Sequence, residues 1–144
     1  MIREIGPGET HLAFAAMQEL RTMWTDETEF VRYVDEQQRP EGFRLVGAFD
    51  DAREEAVAVA GFRTGHALGW GHYIYVDDLS TAAEARRAGH GRALLDWLVA
   101  EAGRLGCAQV HLDSAVGLAR ADAHRLYLNA GFVIAAHHFV RGAG

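Results

Sequence analysis

The sequence predicts an α/β fold built on a mixed, mostly antiparallel central sheet with helices on both faces. Three observations lead there. Short apolar runs of strand length alternate with stretches of helical spacing, in the order β-α-α-β-β-β-α-β-α-β. Two runs in the middle are separated by a charged turn, the signature of an antiparallel hairpin. A basic turn spaced by glycines then joins the longest strand directly to the clearest amphipathic helix.

Each element has a local reason. Met1 to Ile5 reads as a first strand closed by Gly6-Pro7-Gly8, and Thr10 is the expected cap of a helix carrying Ala13, Ala16, Met17, Leu20 and Trp24. Asp26 with Glu29 suits a capping box for a second helix bearing Phe30, Tyr33 and Val34. Pro40-Glu41-Gly42 is a turn, and Phe43–Phe49 and Ala56–Phe62 form the hairpin around Asp50–Glu55. Thr64-Gly65-His66 is read as a second turn, leading into an aromatic strand from about Leu68 to Leu79. Leu94, Trp97, Leu98, Ala102 and Leu105 share one helix face ending at Gly106. Ala108–Asp113 is a short strand, Arg120–Ala130 a helix stopped by Gly131, and Phe132–Arg141 one or two closing strands.

Composition narrows the function. At 144 residues the chain is expected to be a single domain, 1–144, with a core of its own. A net charge of −6 gives no basic field for nucleic acid or an anionic membrane. One cysteine, Cys107, excludes a disulfide framework within the chain and fits a reducing cytoplasm, and no apolar run reaches membrane-spanning length. Cys107 follows a helix-ending glycine and reads as a small apolar residue. Eight histidines show no metal-ligand spacing, and the adjacent His137 and His138 would face opposite ways on a strand, so no metal is expected.

The stretch from Tyr75 to Leu95 carries the chemistry. Arg86, Arg87, Gly89, Gly91 and Arg92 open straight into a helix. The first N–H groups of a helix lack internal partners, the helix dipole adds partial positive charge, and glycines let a ligand approach the backbone. A phosphate or pyrophosphate is the natural guest. No Lys-Ser or Lys-Thr pair follows, which argues against a P-loop for ATP, and the glycine spacing is not that of a dinucleotide fold.

Arg86-x-x-Gly89-x-Gly91 resembles the acyl-CoA pyrophosphate loop of the GNAT N-acetyltransferase superfamily. Two further stretches support the resemblance: Asp78-Leu79-Ser80-Thr81 ahead of the loop, and Ala123-His124-Arg125-Leu126-Tyr127-Leu128-Asn129-Ala130-Gly131-Phe132, which is similar to the family's late A-x-x-[LF]-Y-x-x-x-G-F signature. The element order is also that of the family, so the likeness covers nearly the whole chain. Leu112-Asp113-Ser114 and His137-His138-Phe139, with Ala123-His124-Arg125, loosely resemble a bacterial subgroup that includes aminoalkylphosphonate N-acetyltransferases. Two positions depart from the pattern: Arg120 stands where the family often has Asn, and Ala83 where it commonly has Pro.

The resemblance implies an acetyl-CoA-dependent N-acetyltransferase acting on a primary amine of a small molecule or of a protein, with the amine attacking directly in a ternary complex. It implies that Leu79, Ser80 and Thr81 orient the pantetheine arm through backbone groups. The N–H groups of Arg87, Ala88, Gly89, His90, Gly91, Arg92 and Ala93 would take the pyrophosphate, with the Arg86, Arg87 and Arg92 side chains as phosphate partners; Arg120 is a further cofactor contact or meets an acidic substrate group. Tyr127 would be the general acid for the leaving thiolate, because a phenol of pKa ~10 stays protonated at neutral pH. Asp78 is the leading candidate base, with His111 and Asp113 behind it. His72, Tyr73 and Tyr75 are candidates for the acceptor groove, and Trp24 and Phe30 for its wall. The competing reading is a non-catalytic acyl-CoA sensor or interaction module. A homodimer through the aromatic last strand is open.

Overall fold

The computed structural model describes all residues, 1–144, in two compact units, Met1–Leu112 and Asp113–Gly144. The first unit holds one five-stranded sheet in the order β1-β2-β3-β4-β5. Its strands are β1 (Ile2–Ile5), β2 (Arg44–Ala48), β3 (Ala58–Ala67), β4 (Gly71–Thr81) and β5 (Gln109–Leu112). Neighbours are antiparallel except β4 and β5, which run parallel. The sheet is therefore mixed and mostly antiparallel, as the sequence predicts.

Helices cover both faces of it. In β2 and β3, Leu45 and Val59 share one face and pack with Ala13, Ala16, Met17, Phe30 and Val34 from the early helices, α1 (Phe14–Gln18) and α2 (Glu27–Tyr33). On the other face Phe62 meets Trp97 of α3 (His90–Leu105), with ring centroids 5.8 Å apart. Leu94, Leu95 and Leu98 of α3 are fully buried, and Gly106 ends the helix at φ 76°, a left-handed cap that glycine adopts without a Cβ penalty.

Several expectations need correction. Thr10 is not a cap: Glu9 holds that place, and Thr10 lies buried in a 3₁₀ turn (Thr10–Ala13). Its hydroxyl donates to Asp35 Oδ1 (2.6 Å) and accepts from Arg39 Nη2 (2.9 Å), so a polar group inside the core is satisfied by the segment after α2. The first helix does not extend to Trp24. It stops at Gln18, where the Leu20 N–H turns back to the Met17 carbonyl in a tighter i−3 bond (3.1 Å). Asp26 does cap α2, accepting from the Glu29 N–H at 3.1 Å. Thr64-Gly65-His66 is not a turn but the end of β3, and the chain reverses at 68–70 instead. Gly65 serves packing there, since a Cβ on it would lie 2.5 Å from the Tyr73 hydroxyl.

The α3 face also carries an ionic cluster. Glu101, buried on α3, accepts from Arg44 on β2 (2.6 Å) and from two nitrogens of Arg104 (2.6 and 2.7 Å). The Arg104 hydrogen bonds, with Arg44 adding to them, hold its carboxyl down at about 2. A carboxyl depressed on folding stabilises the fold above its unfolded pKa and loses that contribution as pH falls through the folded value. Glu101→Gln should therefore cost about 1–3 kcal/mol at pH 7. The gap to wild type should close between about pH 4.5 and 2, as read from denaturant midpoints across that range. A gap that stays constant with pH would show that the charge is not what Glu101 contributes.

The second unit contains a 3₁₀ turn (Leu118–Arg120) and α4 (Ala121–Asn129), which stops before Gly131 at φ 92°. Phe132–Arg141 forms no strand, contrary to expectation. Its β-branched and aromatic residues have no ladder partner, and Val133, Ile134, Phe139 and Val140 are exposed. Strand propensity alone does not make a strand without a neighbour to hydrogen-bond.

Candidate active site

The β4 strand positions most of the candidate residues. It is 11 residues long, but β5 pairs only with Tyr73–Val76, so Asp77–Thr81 have no strand beside them on that side. On the other side, the pairing with β3 slips by one residue: Gly61 faces Asp78 while Phe62 faces Val76, leaving Asp77 as a bulge. The extra residue reverses the phase of the strand. Val76 lies on the α3 face, and Asp78 and Ser80 turn toward the early helices.

Asp78 sits there in a narrow setting. Its Oδ1 accepts from Arg21 Nε at 2.7 Å, and Arg21 Nη2 also donates to the Asp77 carbonyl at 2.9 Å. The carboxylate side chain is only 11% exposed. Burial pushes its carboxyl above the usual carboxylate range; Arg21 opposes the rise and Asp77 adds to it. Oδ2 carries no hydrogen bond and lies over Gly61, where a Cβ would come within 2.8 Å of it. A cavity of about 120 Å³ opens beside it, lined by Asp78, Arg21, Trp24, Phe30, Tyr33 and Phe43 among others. Of these, Arg21, Tyr33 and Phe43 are not among the site candidates that the sequence offers. Arg21 is 57 residues from its partner, and no local pattern marks it.

The Ser80 side chain fixes the strand in place. The hydroxyl is buried and donates to the Ala16 carbonyl (2.6 Å), fastening β4 to α1. Leu79 and Thr81 pair with Ala60 and Ala58 of β3 and are half-buried. Their opposite edge is the unpaired one.

Beyond β4 the chain makes a 3₁₀ turn (Ala83–Ala85) and enters α3 through Gly89, at φ 83° and with no side-chain cap. The first intrahelical bond runs from the Ala93 N–H to the Gly89 carbonyl, and the N–H groups of His90 and Gly91 have no partner in the chain. Arg87 holds φ 65°, a left-handed conformation unusual for a side chain of its size. No ion pair engages it. Arg86 reaches Glu19 only at 3.5 Å, and Arg92 pairs with Asp96 one helical turn on at 3.1 Å. An uncapped 16-residue helix, a strained loop residue and three exposed or half-exposed arginines suit a pyrophosphate.

In the second unit, Arg120 ends the 3₁₀ turn two helical turns before Tyr127 on α4. Burial pushes the Tyr127 phenol above its ordinary range, and the neighbouring Arg120 guanidinium pulls it back in part. The phenol is thus firmly protonated at neutral pH. Its ring meets Phe132 edge-on at 6.3 Å. Asp113 accepts from His138 Nδ1 at 2.7 Å, and His124 Nε2 lies 2.9 Å from the Ala115 carbonyl.

The other candidates lie elsewhere in the first unit. His111 on β5 stacks against Trp70 at 3.7 Å and bonds Gln109, and burial lowers its pKa. His72 stacks on His66 (4.3 Å), Tyr73 covers Gly65, and Tyr75 lies under Arg63 (5.0 Å). None of these residues lines the cavity beside Asp78. Trp24 and Phe30 do, with centroids 6.3 Å apart. Burial raises the Cys107 thiol, which keeps it protonated rather than nucleophilic. No helix is long and apolar enough to cross a membrane.

The model of the Acetyltransferase (GNAT) family matches residues 12–132. The chain belongs to the GNAT acetyltransferase family. It is 31% identical over 128 residues to the uncharacterized N-acetyltransferase YhdJ of Bacillus subtilis (strain 168), covering 88% of this chain and 87% of that one. The fold is shared with an acetyltransferase of Trypanosoma brucei, at TM-score 0.80 and 17% identity over 99% of this chain and 98% of that one. It is shared equally with glucosamine-6-phosphate N-acetyltransferase from Arabidopsis thaliana, at TM-score 0.78 and 14% identity over 100% and 98%. This GNAT protein is an N-acetyltransferase.

Proposed function

We propose that this chain transfers the acetyl group of acetyl-CoA to a primary amine of a small molecule, by direct attack of the amine, with residues 1–144 acting as one domain. The observation that carries the reading is the uninterrupted path from the unpaired edge of β4, through the loop at Arg86–Gly89, to the uncapped start of α3. The edge at Leu79–Thr81 offers backbone amides to a pantetheine arm. The loop and first helical turn offer N–H groups and the Arg86, Arg87 and Arg92 charges to the pyrophosphate. The family match runs across both units, which supports a single functional domain.

When bound, acetyl-CoA supplies an activated thioester. The chain's part is to hold it, deprotonate the amine and protonate the leaving sulfur. Asp78 Oδ2 accepts the amine proton, a task for which a carboxyl raised by burial is better suited than an exposed one. Tyr127 donates from its hydroxyl to the sulfur, and Arg120 sets the environment of that phenol.

The test is a thermal shift with CoA, acetyl-CoA and ATP on wild type and on Gly89→Trp. Gly89 faces open space at positive φ, so an indole there enters the anion's place. At about a hundred times its Kd, acetyl-CoA should add ~2.7 kcal/mol of stability, a rise of roughly 5–10 °C for a chain of this size. The variant should show no rise. A response to ATP and to no CoA would overturn the reading. A response to acetyl-CoA without thiol release in the presence of any amine would make the chain a binding module.

A further inference from the structure

We infer that the acceptor is a monoamine with a compact apolar body, a single six-membered ring or a branched alkyl group of about six carbons, seated in the cavity between α2 and β4 with its nitrogen at Asp78. This inference rests on the acetyltransferase reading above and names the chemistry of its acceptor.

The size of the cavity sets the first limit. At about 120 Å³ it is slightly smaller than a protein cavity of ~150 Å³ that takes up benzene. One ring fills it, and a bicyclic or sugar-phosphate body would have to project from its open side. Its walls set the second. Trp24, Phe30 and Phe43 line it with aromatic rings, and Tyr33 packs tilted against Trp24 with centroids 5.0 Å apart. Beside the Asp78–Arg21 pair, Gln38 and the Tyr33 hydroxyl are the polar groups of the lining, too few to partner a carbohydrate or polyamine body.

Charge sets the third. The two formal charges facing the cavity, Asp78 and Arg21, already neutralise each other at 2.7 Å. Arg21 has given Nε to Asp78 and one Nη2 N–H to the Asp77 carbonyl, so its side-on pair is committed and its charge is already matched. Asp78 Oδ2, in contrast, is uncommitted, and Asp78 lines the same space. The cavity therefore has an open acceptor for one ammonium group, while an added anion would meet a cation already paired with Asp78.

The experiment measures kcat/KM with saturating acetyl-CoA for methylamine, isobutylamine, cyclohexylamine and benzylamine. Spermidine, β-alanine and a lysine peptide are run beside them. A buried methylene is worth about fourfold, so benzylamine should exceed methylamine by about 10²-fold or more. It should also exceed each charged or polymeric amine. Val34→Phe, which places a ring in the cavity, should raise KM for benzylamine at least about tenfold while KM for acetyl-CoA stays put. Tyr33→Ala, at a half-exposed position, should shift preference toward a bicyclic amine. Faster acetylation of spermidine, β-alanine or the peptide than of benzylamine would overturn the inference and leave the enzyme reading standing. No melting response to acetyl-CoA would instead overturn the enzyme reading itself, and the inference with it.

Discussion

Replacing Tyr127 with Phe should lower kcat by about 10²-fold, the usual contribution of a positioned general acid. The KM for acetyl-CoA should change little. The substitution removes one oxygen and keeps the ring that meets Phe132. The pH dependence makes the test specific. An acid must carry its proton to act, and burial holds this phenol above the ordinary tyrosine range, with Arg120 only partly offsetting it. Wild-type kcat should therefore stay level through pH 9 and fall only beyond the ordinary tyrosine pKa of ~10. The variant should lack that alkaline limb. With Asp78 as the proposed base, ionised to accept a proton and with its pKa raised, the acid limb should lie above the usual carboxylate range and vanish in Asp78→Asn. A Tyr127→Phe enzyme with wild-type kcat would remove the phenol from the mechanism.

How much of this was legible in the chain depends on the distance over which each feature is made. The loop ahead of α3 is local: two glycines and three arginines within seven residues mark it, and α3 begins where the pattern says. The Gly106 and Gly131 stops are local too. Asp78 was named, but the direction it faces could not be read. Strict alternation would set it beside Ile74 and Val76 on the α3 face, and only the slip at Asp77 turns it the other way. Arg21 is invisible for a related reason, since a short turn after α1 carries it to a partner across the sheet. Gly65 misled because a glycine that makes room for a ring looks the same as one that makes a turn. Phe132–Arg141 misled because composition records strand propensity and says nothing about whether an edge is there to receive it.

Gly61 shows the same limit from the opposite side, and its replacement should have the second large effect. In a strand interior, Gly→Ala ordinarily stabilises by about 0.5–1 kcal/mol, because glycine loses the most backbone freedom on folding. Here a Cβ would fall 2.3 Å from Phe43 Cζ, 2.8 Å from Cε1 and 2.8 Å from Asp78 Oδ2. Phe43 is buried and cannot swing into solvent, so its ring must shift into the cavity or push the strand. Overpacking of that kind costs about 1–3 kcal/mol. Gly61→Ala should thus lower the melting temperature by roughly 3–10 °C and raise the acceptor KM, while leaving acetyl-CoA binding near wild type. Phe43→Leu, a smaller side chain at the point of collision, should cost stability alone but rescue Gly61→Ala in the double variant, a coupling that two independent sites would not show. Purely additive losses would mean that Gly61 does not keep Phe43 and Asp78 together at the cavity floor.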